Sequence, residues 1–166
     1  CFPKDTLALV RTATDAGSPV RLVETTVQVN DARKKAMAGR IAGALGGELK
    51  GRTVAMLGLT FKPNTDDMRD SPALDVIPAL IARGATVQAF DPEGMEEAAR
   101  LLDDVQFKDG PYEAVAGADV VVILTDGYTQ WPSREDMAGI KIIAAITPGG
   151  QTAPDHIKSI RITEDE

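Results

Sequence analysis

Four short apolar runs divide the chain from residue 53 onward, and their order constrains the fold more than any other feature. They are TVAMLGL (53–59), ATVQAFDP (85–92), DVVVILT (119–125) and IKIIAAI (140–146). A short apolar run of this kind is typical of a strand that is buried on both faces of a parallel sheet. Because segments with helical spacing lie between the runs, the sequence predicts an α/β fold: a parallel, Rossmann-like sheet flanked by helices and joined by right-handed crossovers.

The segments between the runs carry the usual marks of helices. The predicted helices are SPALDVIPALIARG (71–84), GMEEAARLL (94–102) and GPYEAVAGA (110–118), and VQF (105–107) is a candidate for a further short strand. In the first helix, Ser71 is a suitable N-cap, Pro72 occupies the first helical position, and Gly84 closes the carboxyl end.

Residues 1–50 have a different, helical character. TLALVRTATDAG (6–17) predicts a first helix, and the stretch from Val20 to Leu45 predicts a second, which could break at Asn30-Asp31 because both are weak helix formers. GGELKGR (46–52) contains three glycines and few apolar residues. We therefore expect a helical region over 1–50 and an α/β domain over 51–166.

Composition limits the classes of function. The chain has 25 acidic against 18 basic residues and a net charge of −7, which argues against nucleic-acid binding by bulk charge. One cysteine and one histidine leave no basis for a metal site built from these residues. No apolar run reaches the roughly 18 residues of a membrane span. The expected protein is soluble and cytoplasmic.

The loop at 60–71, after the first predicted strand, is the first candidate site, because parallel sheets bind ligands at the carboxyl ends of their strands. Its surroundings read GLTFKPNTDDMRDSP (58–72). Lys62 or Arg69 could neutralise a phosphate, and the helix that begins at Ser71 could donate backbone N–H groups. The alternative is a solvated loop whose charges cancel one another. The stretch lacks G-x-G-x-x-G and is therefore no standard dinucleotide loop.

The first residues, CFPKDTLAL, form the second candidate site. A lone cysteine is often a small buried apolar residue, and Cys1 could be one. Against this, Lys4 could lower the pKa of the thiol through its charge, and Asp5 could orient a water or hold a proton.

Taken together, CFPKD and GLTFKPNTDDMRDSP resemble two motifs of the UDP-glucose/GDP-mannose dehydrogenase family. The first is similar to the motif that carries the family's catalytic cysteine, and the second to the signature of its UDP-binding domain. The resemblance covers roughly residues 1–125. Phe2 favours the UDP-glucose 6-dehydrogenase branch over the GDP-mannose enzymes.

The resemblance implies an NAD-dependent oxidation of the C6 alcohol of UDP-glucose to a carboxylate, by two hydride transfers, as a step of nucleotide-sugar metabolism for polysaccharide biosynthesis. Cys1 would be the nucleophile that forms the thiohemiacetal and the thioester, a role that suits a thiolate. Asp5 would assist hydrolysis of the thioester, and Lys4 would contact the cofactor.

For the second motif the resemblance implies that Phe61 and Lys62 contact the UDP-sugar and that Arg69 reaches NAD. It also implies that an NAD-binding domain precedes Cys1, that the helical region forms a homodimer, and that the fragment alone binds UDP but is inactive. After the strand at 119–125 the sequence departs from the family pattern, and an expected substrate-binding arginine is absent.

Three alternatives stay open at this point. The chain could be a non-catalytic nucleotide-binding module, since the loop at 60–71 could bind a nucleotide without chemistry. It could belong to a dehydrogenase of another nucleotide sugar, such as GDP-mannose. It could also be a helical dimerisation fragment whose sheet is only structural.

Overall fold

One parallel sheet organises the part of the chain that the structure, a computed structural model, describes: residues 3–62, 64–125, 130–135, 140–146 and 150–161. The helices are α1 (Pro3–Asp15), α2 (Arg21–Ala44), α3 (Ala73–Ile81), α4 (Met95–Leu101) and α5 (Pro111–Val115). The strands are β1 (Thr53–Leu57), β2 (Thr86–Phe90), β3 (Val105–Phe107), β4 (Val120–Thr125), β5 (Lys141–Ile146) and β6 (Lys158–Arg161).

The six strands lie in the order β3-β2-β1-β4-β5-β6, and every neighbouring pair is parallel. The register places Val54 of β1 opposite Val87 of β2 on one side and Val120 of β4 on the other. The chain runs outward from β1 to β3 and then returns to β4 on the opposite side of β1. This is the strand order of the Rossmann fold, and the predicted α/β sheet is confirmed.

The central strands are buried on both faces, as their apolar runs predict. Val54, Ala55 and Met56 of β1 are fully buried, and one apolar core joins β1, β2 and β4 to α3 and to the end of α2. Removing this apolar surface from water is the main force that holds the layers together. A smaller cluster at the β5 side includes Trp131 as a packing residue.

Helix α2 is continuous from Arg21 to Ala44, so the break considered at Asn30-Asp31 is wrong. Asn and Asp each cost only about 0.7 kcal/mol relative to Ala inside a helix, whereas propagation and tertiary packing favour continuing it. Only the last part of α2 is buried, through Met37, Ala38, Ile41 and Ala42, and it packs against α3.

The segment that joins α2 to β1 is a glycine turn, as its composition suggests. Gly46, Gly47 and Gly51 have φ values of 95°, 104° and 73°, in the left-handed region that favours glycine. Between them, Leu49 is buried in the same core as the sheet. Since the end of α2 shares that core, the division into 1–50 and 51–166 stays a prediction.

Strand β6 was not predicted from the sequence. It is four residues long, follows a polar segment, and pairs with β5 at the edge of the sheet. Ile157 and Ile160 are buried, but two apolar residues in so polar a stretch do not make a strand pattern. Within the described residues, no helix combines the length and the apolar character that crossing a membrane requires.

Candidate functional site

The candidate site is the loop of residues 58–72, which joins β1 to α3 at the carboxyl edge of the sheet. Here the chain leaves β1 toward β2, while β4 lies on the other side of β1, so the loop begins at the topological switch point. Gly58 turns the chain out of the strand with φ 88°. A Cβ at Gly58 would lie 3.3 Å from the carbonyl oxygen of Leu124 in β4, so the loop starts close against that strand.

Asp91, the residue directly after β2, holds the start of this loop. Its Oδ2 accepts hydrogen bonds from the backbone N–H of Leu59 at 2.7 Å and of Thr60 at 3.1 Å, and from the hydroxyl of Thr60 at 3.3 Å. Its Oδ1 accepts from the N–H groups of Glu93 and Gly94, both at 2.9 Å. Sequence reasoning missed this residue, although the Asp-Pro pair that ends a strand at the same edge was a usable signal.

The carboxylate of Asp91 is a buried charge that the backbone satisfies. Burial alone raises the pKa of Asp91, but the N–H groups of Leu59, Glu93, Gly94 and Thr60 together outweigh it, so the pKa lies below its ordinary value. Hydrogen bonds to the charged form stabilise that form. Asp91 is therefore ionised at neutral pH.

Ser71 holds the other end of the loop. Its hydroxyl donates to the carbonyl of Leu59 and accepts from the N–H of Ala73 at 3.2 Å. Pro72 already has helical angles of −55° and −27°, so Ser71 fills the capping role expected of it. Because Leu59 is bound from both sides, by Ser71 and by Asp91, the two ends of the loop are tied together at the sheet.

Between these ends the loop is closed by its own hydrogen bonds. The N–H of Phe61 donates to the carbonyl of Asp67 at 2.8 Å. The hydroxyls of Thr60 and Thr65 donate to the carbonyl of Lys62 at 3.1 Å and 2.9 Å. Phe61 is half-buried and Lys62 is exposed, with its Nζ 6.0 Å from the centre of the Phe61 ring. A ring and an ammonium group therefore stand next to each other on a fixed backbone.

Arg69 is paired with Asp67. Its Nε and Nη2 donate to the two carboxylate oxygens of Asp67 at 2.8 Å and 2.9 Å, the two-point geometry that an arginine makes with a carboxylate. This hydrogen bonding by Arg69 lowers the pKa of Asp67 to about 2. The charges of Arg69 and Asp67 therefore cancel each other, as the alternative of a solvated loop with mutually cancelling charges states.

The structure places three of the predicted site residues in one loop and two of them in a helix. Phe61, Lys62 and Arg69 share the loop, whereas Lys4 and Asp5 are exposed residues in the first turn of α1, which packs against α2. Cys1 lies outside the described residues. Among the residues that are described, no group of three or more His, Cys, Asp and Glu side chains is placed to hold a metal ion.

Lys62 and Phe61 together can bind an anion that carries a ring. Lys62 supplies a point charge for a phosphate, and Phe61 supplies an apolar face. The loop has Gly58 as its one glycine and therefore does not form the glycine-rich cradle in which a dinucleotide pyrophosphate sits. Lys62 and Phe61 therefore offer a nucleotide one cation and one ring without such a cradle.

Comparison with known proteins agrees with this geometry. Residues 55–141 match the sequence profile "UDP-glucose/GDP-mannose dehydrogenase family, UDP binding domain". A UDP-glucose 6-dehydrogenase of Rhizobium meliloti (strain 1021) is 60% identical over 126 residues, which are 76% of this chain and 29% of that protein. The UDP-glucose 6-dehydrogenase TuaD of Bacillus subtilis (strain 168) is 41% identical over 143 residues, 86% of this chain and 30% of that protein.

Among solved structures, a UDP-glucose dehydrogenase from the archaeon Pyrobaculum islandicum superposes with a TM-score of 0.74 at 33% identity, covering 97% of this chain and 36% of that one. The chain spans about three tenths of the length of the curated relatives, 29% and 30%. The profile match covers more than half of the chain and contains the whole loop between β1 and α3. The chain therefore belongs to the UDP-glucose/GDP-mannose dehydrogenase family, of which it contains the UDP-binding domain.

Proposed function

We propose that the chain is the C-terminal part of an NAD-dependent UDP-glucose 6-dehydrogenase, which oxidises UDP-glucose to UDP-glucuronate for polysaccharide biosynthesis in the cytoplasm. The observation that carries the proposal is the loop between β1 and α3. It presents Phe61 and Lys62 at the carboxyl edge of the sheet, inside a domain of the family's UDP-binding type. The names of the two relatives above support UDP-glucose as the sugar nucleotide.

In this proposal the loop contacts two ligands, the sugar nucleotide and the cofactor. Lys62 bonds the diphosphate, and Phe61 packs on the sugar nucleotide. Arg69, on the exposed side of the loop with 83% of its side chain accessible, reaches the cofactor. The cofactor would supply the oxidising chemistry, one NAD molecule for each of the two hydrides; Arg69 and Lys4 would contact it, and a domain outside this chain would supply most of its binding site.

The N-terminal residues would perform the covalent part of the reaction. The Cys1 thiolate adds to the carbonyl carbon of the C6 aldehyde, and the carbonyl oxygen takes up a proton to give a thiohemiacetal. After the second oxidation the product is a thioester. Asp5 orients the water that attacks it, so that the C–S bond breaks, a carboxylate forms and the thiolate is regenerated. Lys4 favours the thiolate through its charge and contacts the cofactor.

Helices α1 and α2 would form a homodimer. Four large apolar side chains on them, at Leu7, Leu9, Leu22 and Val29, are between 42% and 86% exposed. Exposed large apolar side chains on two helices that pack against each other support an interface there.

The binding part of the proposal is tested by calorimetry with UDP. We expect Lys62→Ala to weaken UDP binding about tenfold or more, since a hydrogen bond to a charged group contributes about 1.5–3 kcal/mol. Lys141→Ala is the matched control, because Lys141 is exposed at the opposite end of the sheet, where β5 begins. A folded domain that binds no UDP, or equal losses in the two variants, would contradict the assignment.

The catalytic part is tested in the enzyme that contains this chain, by measuring the NADH formed per UDP-glucose. We expect Cys1→Ser to stop the reaction after the first oxidation, because a serine hydroxyl is not ionised at neutral pH and is a poorer nucleophile than a thiolate, and its alkoxide is a poorer leaving group. An unchanged NADH yield would rule out the nucleophile role and would favour the alternative of a binding module that does no chemistry.

A further inference from the structure

Asp91 occupies a position that has a known use in dinucleotide-binding Rossmann domains. There, the acidic residue after the second strand bonds a ribose hydroxyl of the ligand. In this chain the residue directly after β2 is also acidic, but the groups that it bonds belong to the protein.

The hydrogen-bonding capacity of Asp91 is fully used. A carboxylate offers about four lone-pair positions, and four backbone N–H groups use them in Asp91, two at Oδ2 and two at Oδ1. The hydroxyl of Thr60 also lies 3.3 Å from Oδ2. Its side chain is also buried, with the residue only 3% exposed. A ribose hydroxyl therefore finds neither access to this carboxylate nor an acceptor site on it.

Asp91 is connected through Thr60 to Lys62, one of the proposed ligand-binding residues. Thr60 donates its N–H to Asp91, and its single hydroxyl proton is shared between two acceptors, Oδ2 of Asp91 at 3.3 Å and the carbonyl of Lys62 at 3.1 Å. On the other side, Gly94 lies so close that a Cβ there would come within 2.3 Å of Cγ2 of Thr60. Thr60 is thus fixed between Asp91, Gly94 and Lys62.

We propose that Asp91 is the positioning residue of the UDP site. It binds the loop between β1 and α3 in place of a ribose, and so keeps Phe61 and Lys62 in position to bind the nucleotide. It also removes the acceptor that a dinucleotide needs. The inference rests on the proposed function for the identity of the ligand. The hold on the loop follows from the hydrogen bonds themselves.

The test compares Asp91→Asn with Asp119→Asn. Asp119 is a matched control because it also binds the backbone of β1, accepting from the N–H of Thr53 at 2.8 Å, and is paired with Arg52 at 2.9 Å, but at the amino end of the strand. In both variants an amide N–H₂ group replaces an oxygen that accepts N–H donors. Both should therefore unfold more readily, but only Asp91→Asn should weaken UDP binding, by about tenfold.

Two measurements are made on each variant: UDP affinity by calorimetry, and hydrogen exchange of the amides of Leu59 and Thr60. We expect faster exchange of these amides in Asp91→Asn and unchanged exchange in Asp119→Asn. In the whole enzyme, Asp91→Asn should raise the KM for UDP-glucose more than the KM for NAD, because Asp91 bonds Leu59 and Thr60, which adjoin Phe61 and Lys62 and lie farther along the loop from Arg69. Unaltered UDP affinity in folded Asp91→Asn, or an equal loss in Asp119→Asn, would overturn the inference.

Two further controls keep the outcome decisive. If Asp91→Asn does not fold, Thr60→Val replaces it, because this change removes only the hydroxyl that lies between Asp91 and Lys62. Unchanged UDP affinity in Thr60→Val would then overturn the inference.

NAD added to the wild-type titration should not displace UDP. Displacement would contradict the statement that Asp91 offers no acceptor to the ribose of a dinucleotide. If the wild type itself binds no UDP, the proposed function fails, and the exchange rates still decide whether Asp91 holds the loop.

Discussion

Arg69 and Asp67 form a two-point ion pair within the loop between β1 and α3, in which the carboxylate of Asp67 offsets the charge of Arg69. Asp67 has its pKa at about 2, against an ordinary value of 3.8, because Arg69 hydrogen-bonds its charged form. A lowered carboxyl pKa stabilises the folded state above the unfolded value. The contribution is thus complete above a pH of 3.8 and is lost as the pH falls toward about 2.

We expect Arg69→Ala to raise the pKa of Asp67 from about 2 toward 3.8, since the largest cause of the low value is removed. An NMR titration of the Asp67 carboxyl measures this shift directly. In the whole enzyme the same change should raise the KM for NAD more than the KM for UDP-glucose, as the proposed contact with the cofactor requires.

Arg100→Ala is the control for that substitution. Arg100 also pairs with carboxylates, those of Glu96 and Glu97, but it does so on α4. It should therefore leave the pKa of Asp67 and both KM values unchanged. A larger rise in the KM for UDP-glucose than in that for NAD after Arg69→Ala would contradict the role given to Arg69.

At the scale of single elements, α2 is one helix with two environments. Its last part is buried against α3 and the sheet, whereas Leu22 near its start is 86% exposed. Contacts with neighbouring elements continue along it: Lys34 pairs with Asp75 of α3 at 3.8 Å, and Lys158 of β6 donates to the carbonyl of Ala44 at 3.3 Å. The end of α2 therefore packs as part of the α/β layer.

We expect Ile41→Ala to lower the free energy of unfolding by about 2–5 kcal/mol, because Ile41 is fully buried and its truncation leaves a cavity. Leu101→Ala, at the end of α4 where Leu101 is 56% exposed, should change it by no more than about 0.5 kcal/mol. Denaturant unfolding measures both. Equal effects would mean that α2 does not stabilise the sheet and would support a domain boundary at 46–52.

At the scale of the whole molecule, the strand order assembles the site. Because β1 lies between β2 and β4, the loop that follows it comes against Asp91 on one side and against the carbonyl of Leu124 on the other. Neither neighbour is close to the loop in the chain: Asp91 is 31 residues from Thr60. A parallel sheet brings such residues to one edge, since all its strands end there.

The order of strands and helices from α1 to β5, the position of the loop and the motif that contains Phe61, Lys62 and Arg69 could be predicted from the sequence, because apolar periodicity, capping residues and local motifs are properties of short segments. The tertiary structure decided the rest: the continuity of α2, the pairing of β6, the partner of Arg69 and the role of Asp91. These depend on which groups meet after folding. A buried carboxylate such as Asp91 is stable only because backbone donors from two separate loops converge on it. A local sequence pattern does not predict which backbone groups will meet in this way.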